Sequence, residues 1–157
     1  NLFKRTDCKS AVYWTHDAYA SLPFAMNSDA DIVLDATLDG KPVRVFLDTG
    51  SATSSMSLEA ARRLFGWTDN DQRVKFVASE KINGGAWASL YRFPFSTLDF
   101  NGIVVSNPQI ELIPQDSFNL GRGSDADIVL GMTSLRQLRL YVSYGNRTVY
   151  LTSAEAK

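Results

Sequence analysis

Short apolar runs separated by turn dipeptides dominate the chain. The stretch "ADIVLDATLDGKPVRVFLD" predicts two strands, Asp31–Leu38 and Pro42–Leu47, around Asp39-Gly40, a strong hairpin signal. "RVKFVASEKINGGAWASLYRFPF" repeats the design with Asn83-Gly84-Gly85 at the turn, and "STLDFNGIVVSNPQIELI" repeats it around Asn101-Gly102. A fourth hairpin is predicted in "LRLYVSYGNRTVYLT", around Gly145-Asn146. Two short helices interrupt the strands. Ser57 can cap Leu58–Phe65 with Gly66 as the stop, and Thr133–Leu138 follows Thr133 or Ser134 as a cap. Many short strands with regular turn signals predict an all-β sandwich or barrel.

Residues 1–27 read as a less regular lead-in laid across the barrel through Tyr13, Trp14, Leu22, Pro23 and Phe24, and 28–157 as the domain proper. "GRGS" at Gly121–Ser124 reads as a flexible connection. The heptapeptide "SDADIVL" occurs at Ser28–Leu34 and again at Ser124–Leu130. Its flanks diverge at once, so it predicts either coincidence or two strands of similar burial, not a repeat architecture.

Composition narrows the class. At 157 residues the chain suits one domain with a sizeable core. An apolar share of 45%, a charged share of 21% and a net charge of −1 fit a globular protein and exclude a nucleic-acid footprint. No apolar run reaches the roughly 20 residues of a membrane span. The single cysteine, Cys8, excludes an intrachain disulfide and leaves the compartment open. The chain opens on Asn1 and reads as a product trimmed upstream, where a targeting or anchor segment would lie.

The candidate chemistry lies in "VFLDTGSATSSMS", Val45–Ser57, where Asp48 follows a buried-looking strand. An Asp-x-Gly-Ser/Thr turn also holds phosphate in actin-like and sugar-kinase ATPases. Those need two large lobes and a second glycine-rich loop, which this chain lacks. Haloacid-dehalogenase phosphotransferases need a second Asp where Gly50 stands. His16, with Asp7, Cys8 and Asp17 nearby, matches no metal-ligand spacing, so neither a metal nor a cofactor is expected. Arg62-Arg63 and Arg136/Arg139 read as solvated helix faces, and Tyr141, Tyr144 and Tyr150 as strand packing or an interface.

"FLDTGSATSSMS", followed some eighty residues later by "ADIVLGMTSLRQLRLYVSY", resembles the retropepsin-like aspartic proteases, most of all their single-lobe bacterial and cellular members. The resemblance covers roughly Asp29 to Thr152. It implies a closed acid-protease barrel of two quasi-repeated halves, in which Leu47-Asp48-Thr49-Gly50 corresponds to Val129-Leu130-Gly131-Met132. It also implies an aspartic endopeptidase acting on a peptide or protein substrate, with Asp48 as the catalytic acid. Thr49, Gly50 and Ser51 would support the loop, Thr49 by locking two loops across the site and Ser51 by bonding the outer carboxylate oxygen. Val129, Leu130 and Gly131 would form the structural crossover.

A flap hairpin is expected over Val74–Phe93, with Ile82, Asn83, Gly84, Gly85 and Trp87 covering bound substrate. The "IVVSNPQIEL" stretch either walls the pocket or belongs to the core.

Metal-free amide hydrolysis requires one group that takes a proton from water and one that gives a proton. Two carboxylates about 3 Å apart cannot both ionise, so they share one proton and fill both roles. No second Asp-Ser/Thr-Gly occurs, and Asp127 lacks the Thr-Gly that would hold it in a loop. The economical answer is a two-fold homodimer with one Asp48 from each chain. The alternatives are a partner lobe upstream of this segment and a catalytically silent barrel that binds peptide or protein.

Overall fold

The computed structural model describes residues 12, 18–26, 31–68, 71–81, 87–119 and 126–154. They form strands β1 (Ala20–Met26), β2 (Ile32–Leu38), β3 (Lys41–Leu47) and β4 (Ser54–Ser57), then helix α1 (Leu58–Phe65). Strands β5 (Lys75–Lys81), β6 (Trp87–Arg92), β7 (Thr97–Phe100), β8 (Ile103–Ser106) and β9 (Ile110–Ile113) follow. Helix α2 (Gln115–Asn119), strand β10 (Ile128–Leu130), helix α3 (Met132–Leu135), and strands β11 (Leu138–Ser143) and β12 (Thr148–Ser153) complete the order.

Local chemistry accounts for most of these boundaries. Asp39 and Gly40 take φ of 46° and 76°, and Asn101 and Gly102 take 54° and 96°, so both two-residue loops have the left-handed pair that matches strand twist. Asp39 Oδ1 also accepts from the backbone N–H groups of Ser96 and Thr97 at 2.9 and 2.8 Å, which ties the β2–β3 hairpin to the start of the β7–β8 hairpin. The β11–β12 loop is longer, running over residues 144–147, and its left-handed residue is Arg147 at φ 49°, not Gly145.

Helix α1 begins where Ser57 Oγ accepts the Ala60 N–H at 3.0 Å and ends at Gly66, at φ 63°. Its buried Ala60 and Ala61 pack on the core. Ser57→Ala is expected to lower stability by about 1 kcal/mol, read as a shift in the urea midpoint.

Three helices replace the two expected. The five-residue α2 starts after Pro114, whose carbonyl accepts the Phe118 N–H at 3.0 Å. It is too short to show a periodic face, and Phe118 anchors it. Helix α3 spans Met132–Leu135 instead of Thr133–Leu138, because Leu138 already pairs with Ser153 as the first residue of β11.

The expected irregular lead-in is a strand over 20–26. Ala20–Pro23 pairs with β12 and Phe24–Met26 with β2, so the strand changes partners just after Pro23, whose nitrogen cannot donate. Tyr13 and Trp14 lie outside the described residues.

The expected closed barrel is not what the strands make. Pairing follows an open path, β11-β12-β1-β2-β3-β10-β4-β9-β6-β5, with β7 branching from β2 to β8. The terminal strands explain the lack of closure. Strand β5 carries Lys75, Glu80 and Lys81 on a nearly fully exposed ribbon, and β11 carries Arg139, charges that discourage edge pairing.

Within the sheet, β3 is flanked by the two copies of Ile-Val-Leu from the repeated heptapeptide. Residues of β2 pair with it antiparallel (Val33↔Phe46, Leu34↔Val45), and residues of β10 pair parallel (Ile128↔Val45, Val129↔Phe46). The heptapeptide thus marks two strands of similar burial on either side of the strand that leads into Asp48. The main core, including Leu38, Val45, Met56, Leu98, Phe100, Ile110, Leu112, Ile128, Leu130 and Leu151, lies beneath this arrangement. No helix among the described residues is long and apolar enough to cross a membrane.

Candidate active site

Strand β3 delivers Asp48 into a tight loop that turns back into β4. Its backbone N–H donates to the Leu130 carbonyl at 3.0 Å, which continues the parallel pairing of β3 with β10 by one bond. The residue is 7% exposed, and the Gly50 N–H donates to its Oδ1 at 2.9 Å. A Cβ on Gly50 would sit 3.2 Å from that oxygen, so the glycine lets the backbone turn tightly around the carboxylate. Thr49 and Gly50 themselves are exposed, beside a buried acid.

The Ser51 hydroxyl donates to the Thr53 carbonyl at 2.8 Å, so its proton closes the loop on itself instead of reaching the carboxylate. Thr49, expected to lock two loops across the site, is exposed in the single chain.

The loop is braced by the turn after β10. Met132 and Thr133 donate their N–H groups to the carbonyls of Ser51 (2.9 Å) and Ala52 (3.1 Å), and the Thr133 hydroxyl also reaches the Ala52 carbonyl at 3.0 Å. The Gly131 N–H donates to Ser54 Oγ at 3.1 Å, and Ser54 Oγ shares a 3.0 Å bond with Ser134 Oγ. Both serines are fully buried. Ser54→Ala leaves the buried Gly131 N–H without its acceptor and the buried Ser134 hydroxyl without its partner. The expected cost is about 1–3 kcal/mol in a urea titration, with Ser134→Ala cheaper because the Gly131 bond survives.

Val129, Leu130 and Gly131 therefore lie directly beside the Asp48 loop. Asp127, weighed as a second acid, has other work. Its Oδ2 accepts the Arg44 N–H at 2.8 Å and its Oδ1 accepts from Arg63. Arg62, also read as a plain solvated residue, lies 5.1 Å over the Trp67 ring.

A cleft of about 230 Å³ opens from Asp48. Its base is Leu90, Ile113, Phe118 and Val129, which with Phe46 form a small apolar cluster separate from the main core. Its walls carry Ser51, Thr53, Ser55, Glu80, Lys81, Glu111 and Ser117. Sequence reasoning had singled out none of Ser55, Glu80, Glu111, Ser117 or Phe118. The available signal was Glu111, a lone acid in the apolar run "IVVSNPQIELI". That run turns out to serve both purposes weighed for it, since Ile110 and Leu112 enter the core while Glu111 and Ile113 face the cleft.

The β5–β6 hairpin contributes Glu80, Lys81 and Leu90 to the lining of this cleft, and its register shifts between Phe76 and Ala78. Its turn residues Ile82, Asn83, Gly84 and Gly85 lie outside the described residues. Trp87, at the start of β6, is 69% exposed. At the approach to β5, Arg73 holds the Asp71 carboxyl below its ordinary value through hydrogen bonds at 3.0 and 2.7 Å, and Asp71 in turn raises the guanidinium. Among the described residues no cluster of His, Cys, Asp or Glu could hold a metal ion. His16, Asp7, Cys8 and Asp17 lie outside them.

A mostly-β fold, with an Asp-Thr-Gly loop braced by an apolar-apolar-Gly turn, defines the retropepsin-like class. The chain belongs to the aspartyl protease family, whose pattern it matches over residues 34–134. Among solved structures it resembles a retropepsin-like aspartic protease from Rickettsia conorii, with TM-score 0.58, 16% identity, and coverage of 85% of this chain and 91% of that one. It also resembles the retroviral protease-like domain of Ddi1 from Leishmania major (TM-score 0.53, 15% identity, 79% and 88% covered). A third is the EIAV protease in complex with the inhibitor HBY-793 (0.51, 18%, 71% and 91%). At these identities the likeness is one of fold. No curated protein matches the sequence.

Proposed function

We propose that this protein is an aspartic endopeptidase whose active site forms when two copies face each other, each contributing Asp48. The observation that carries the reading is the buried Asp48 carboxylate, held by the Gly50 N–H in a loop that leaves Thr49 and Gly50 exposed alongside it. An exposed Thr-Gly edge beside a buried acid suits a surface that a second copy covers. With one such acid per chain, the two-fold relation brings the second carboxylate to the first.

Chemistry follows from the pair. One carboxylate, ionised, accepts a proton from a water held between them, and the other gives its proton to the substrate carbonyl oxygen as the water oxygen bonds to carbon. The tetrahedral diol then collapses. A proton passes to the leaving nitrogen, the C–N bond breaks, and the pair returns to its singly protonated state. The titration belongs to the pair and not to either residue. The substrate lies extended in the cleft, and the β5–β6 hairpin closes over it as the flap. Ile82, Asn83, Gly84 and Gly85 form its tip and Trp87 supplies apolar cover that excludes water. Thr49 and Ser51 keep the loop rigid while this happens.

Mixing supplies the test. Equilibrating wild-type chains with a nine-fold excess of Asp48→Asn chains is expected to reduce peptidase activity per wild-type chain about ten-fold, because most active chains then pair with inert ones. Activity per wild-type chain that ignores the mutant would refute the shared dyad and favour a partner acid within one polypeptide.

A further inference from the structure

We infer that the cleft beside Asp48 holds a side-chain subsite for lysine or arginine, so that the enzyme selects a basic residue close to the scissile bond. The inference rests on the peptidase reading above. At about 230 Å³ the cleft is smaller than the roughly 300–1,000 Å³ of sites that enclose a drug-sized ligand. It has the scale of one long side chain.

Its base and rim differ in kind. Leu90, Ile113, Phe118 and Val129 make a dry floor, while Glu80 and Glu111 stand on the walls. That combination fits a residue with an aliphatic stem and a cationic end, which buries its methylenes and presents its charge to carboxylates.

Register fixes where these carboxylates point. Glu111 pairs with Ser55 of β4 and with Arg92 of β6, and both Ser55 and Glu111 line the cleft. Glu80 pairs with Ala88, and Ala78 with Leu90, so Glu80 shares the face of the hairpin that carries the floor residue Leu90. Lys81 also lines the cleft, but it pairs with Trp87, and its ammonium lies 5.9 Å from the centre of that ring.

Among the described residues, Arg92 is the cation paired with Glu111. Their 3.6 Å separation is too long for a hydrogen bond, and the Arg92 side chain is 43% exposed, so water screens its charge. The Glu111 side chain is only 16% exposed. With Asp48, the lining carries three carboxylates against the single ammonium of Lys81, so the cleft is net negative toward an entering side chain and disfavours a substrate glutamate.

The test uses full-length protein and peptides that differ at one position flanking a mapped cleavage site: Arg, Lys, Gln, Leu or Glu. Arg and Lys peptides are expected to exceed the Gln peptide in kcat/KM about ten-fold or more, with Glu last. In the Glu80→Gln/Glu111→Gln protein that ratio is expected to fall to about three-fold or less. Binding of the same peptides to Asp48→Asn protein gives a readout independent of cleavage and is expected to follow the same order. Cleavage with no basic preference at any flanking position, or a preference that survives both Glu→Gln changes, would overturn the subsite while leaving the peptidase reading intact. Ordered binding with no cleavage by wild-type protein would do the reverse. The absence of both cleavage and ordered binding would overturn the two together.

Discussion

The Asp48→Asn protein is expected to lose peptide hydrolysis by roughly 10⁴-fold, the upper range for general acid–base groups, while folding normally. Asparagine has nearly the shape of aspartate, and its carbonyl oxygen can accept the Gly50 N–H that Asp48 Oδ1 accepts at 2.9 Å. The loop therefore keeps its geometry. What is lost is the ability to ionise or to hold a shared proton, and in a homodimer both halves lose it together. Digestion of a peptide library by wild-type and mutant protein, with circular dichroism on each, separates the effects. Matching product patterns from the two proteins would sink the assignment of Asp48.

The largest loss of stability is expected at Gly131. An ideal Cβ there would lie 2.1 Å from the Thr53 carbonyl oxygen, 2.6 Å from its carbon and 2.8 Å from the Ser51 oxygen. All three are backbone atoms, so no side chain can swing aside. Displacing them strains the bonds from Met132 and Thr133 to the carbonyls of Ser51 and Ala52. Overpacking and the weakened hydrogen bonds together place Gly131→Ala at about 4 kcal/mol, a large part of the roughly 5–15 kcal/mol that holds a domain together. Gly145→Ala, with nothing within 4 Å of its Cβ, is the control and is expected to stay within about 0.5 kcal/mol. Urea midpoints for the three proteins check this. A Gly131→Ala midpoint equal to wild type would mean that the loop yields where the packing says it cannot.

The parts legible in the sequence were those decided within a few residues. Asp39-Gly40 and Asn101-Gly102 announce hairpins because each pair tolerates positive φ, and Ser57 with Gly66 brackets α1 because cap and stop chemistry are local. Asp48 was legible for the same reason, as an acid set in a turn just after a strand. The rest depended on pairings between distant segments. Strand β1 looked irregular because its two halves serve different neighbours, and α2 was too short to leave a pattern. The buried bond between Ser54 and Ser134 joins residues 80 apart, and no local rule links them. Glu80 and Glu111 acquire meaning only through cross-strand register, which decides which face of β5 and β9 meets the cleft.

The place of β10 in the sheet also sets a sequence of events in time. This three-residue strand lies between β3, from about eighty residues earlier, and β4, and the turn after it supplies the braces of the Asp48 loop. Those contacts close only after a loop of that size has been drawn in, the kind of non-local step that slows folding. A growing chain therefore carries its acid unbraced until residues 128–134 have been made and docked. A ribosome-bound fragment that stops short of them holds the Asp48 loop without the turn that braces it, so the loop is set only late, shortly before β11 and β12 are made.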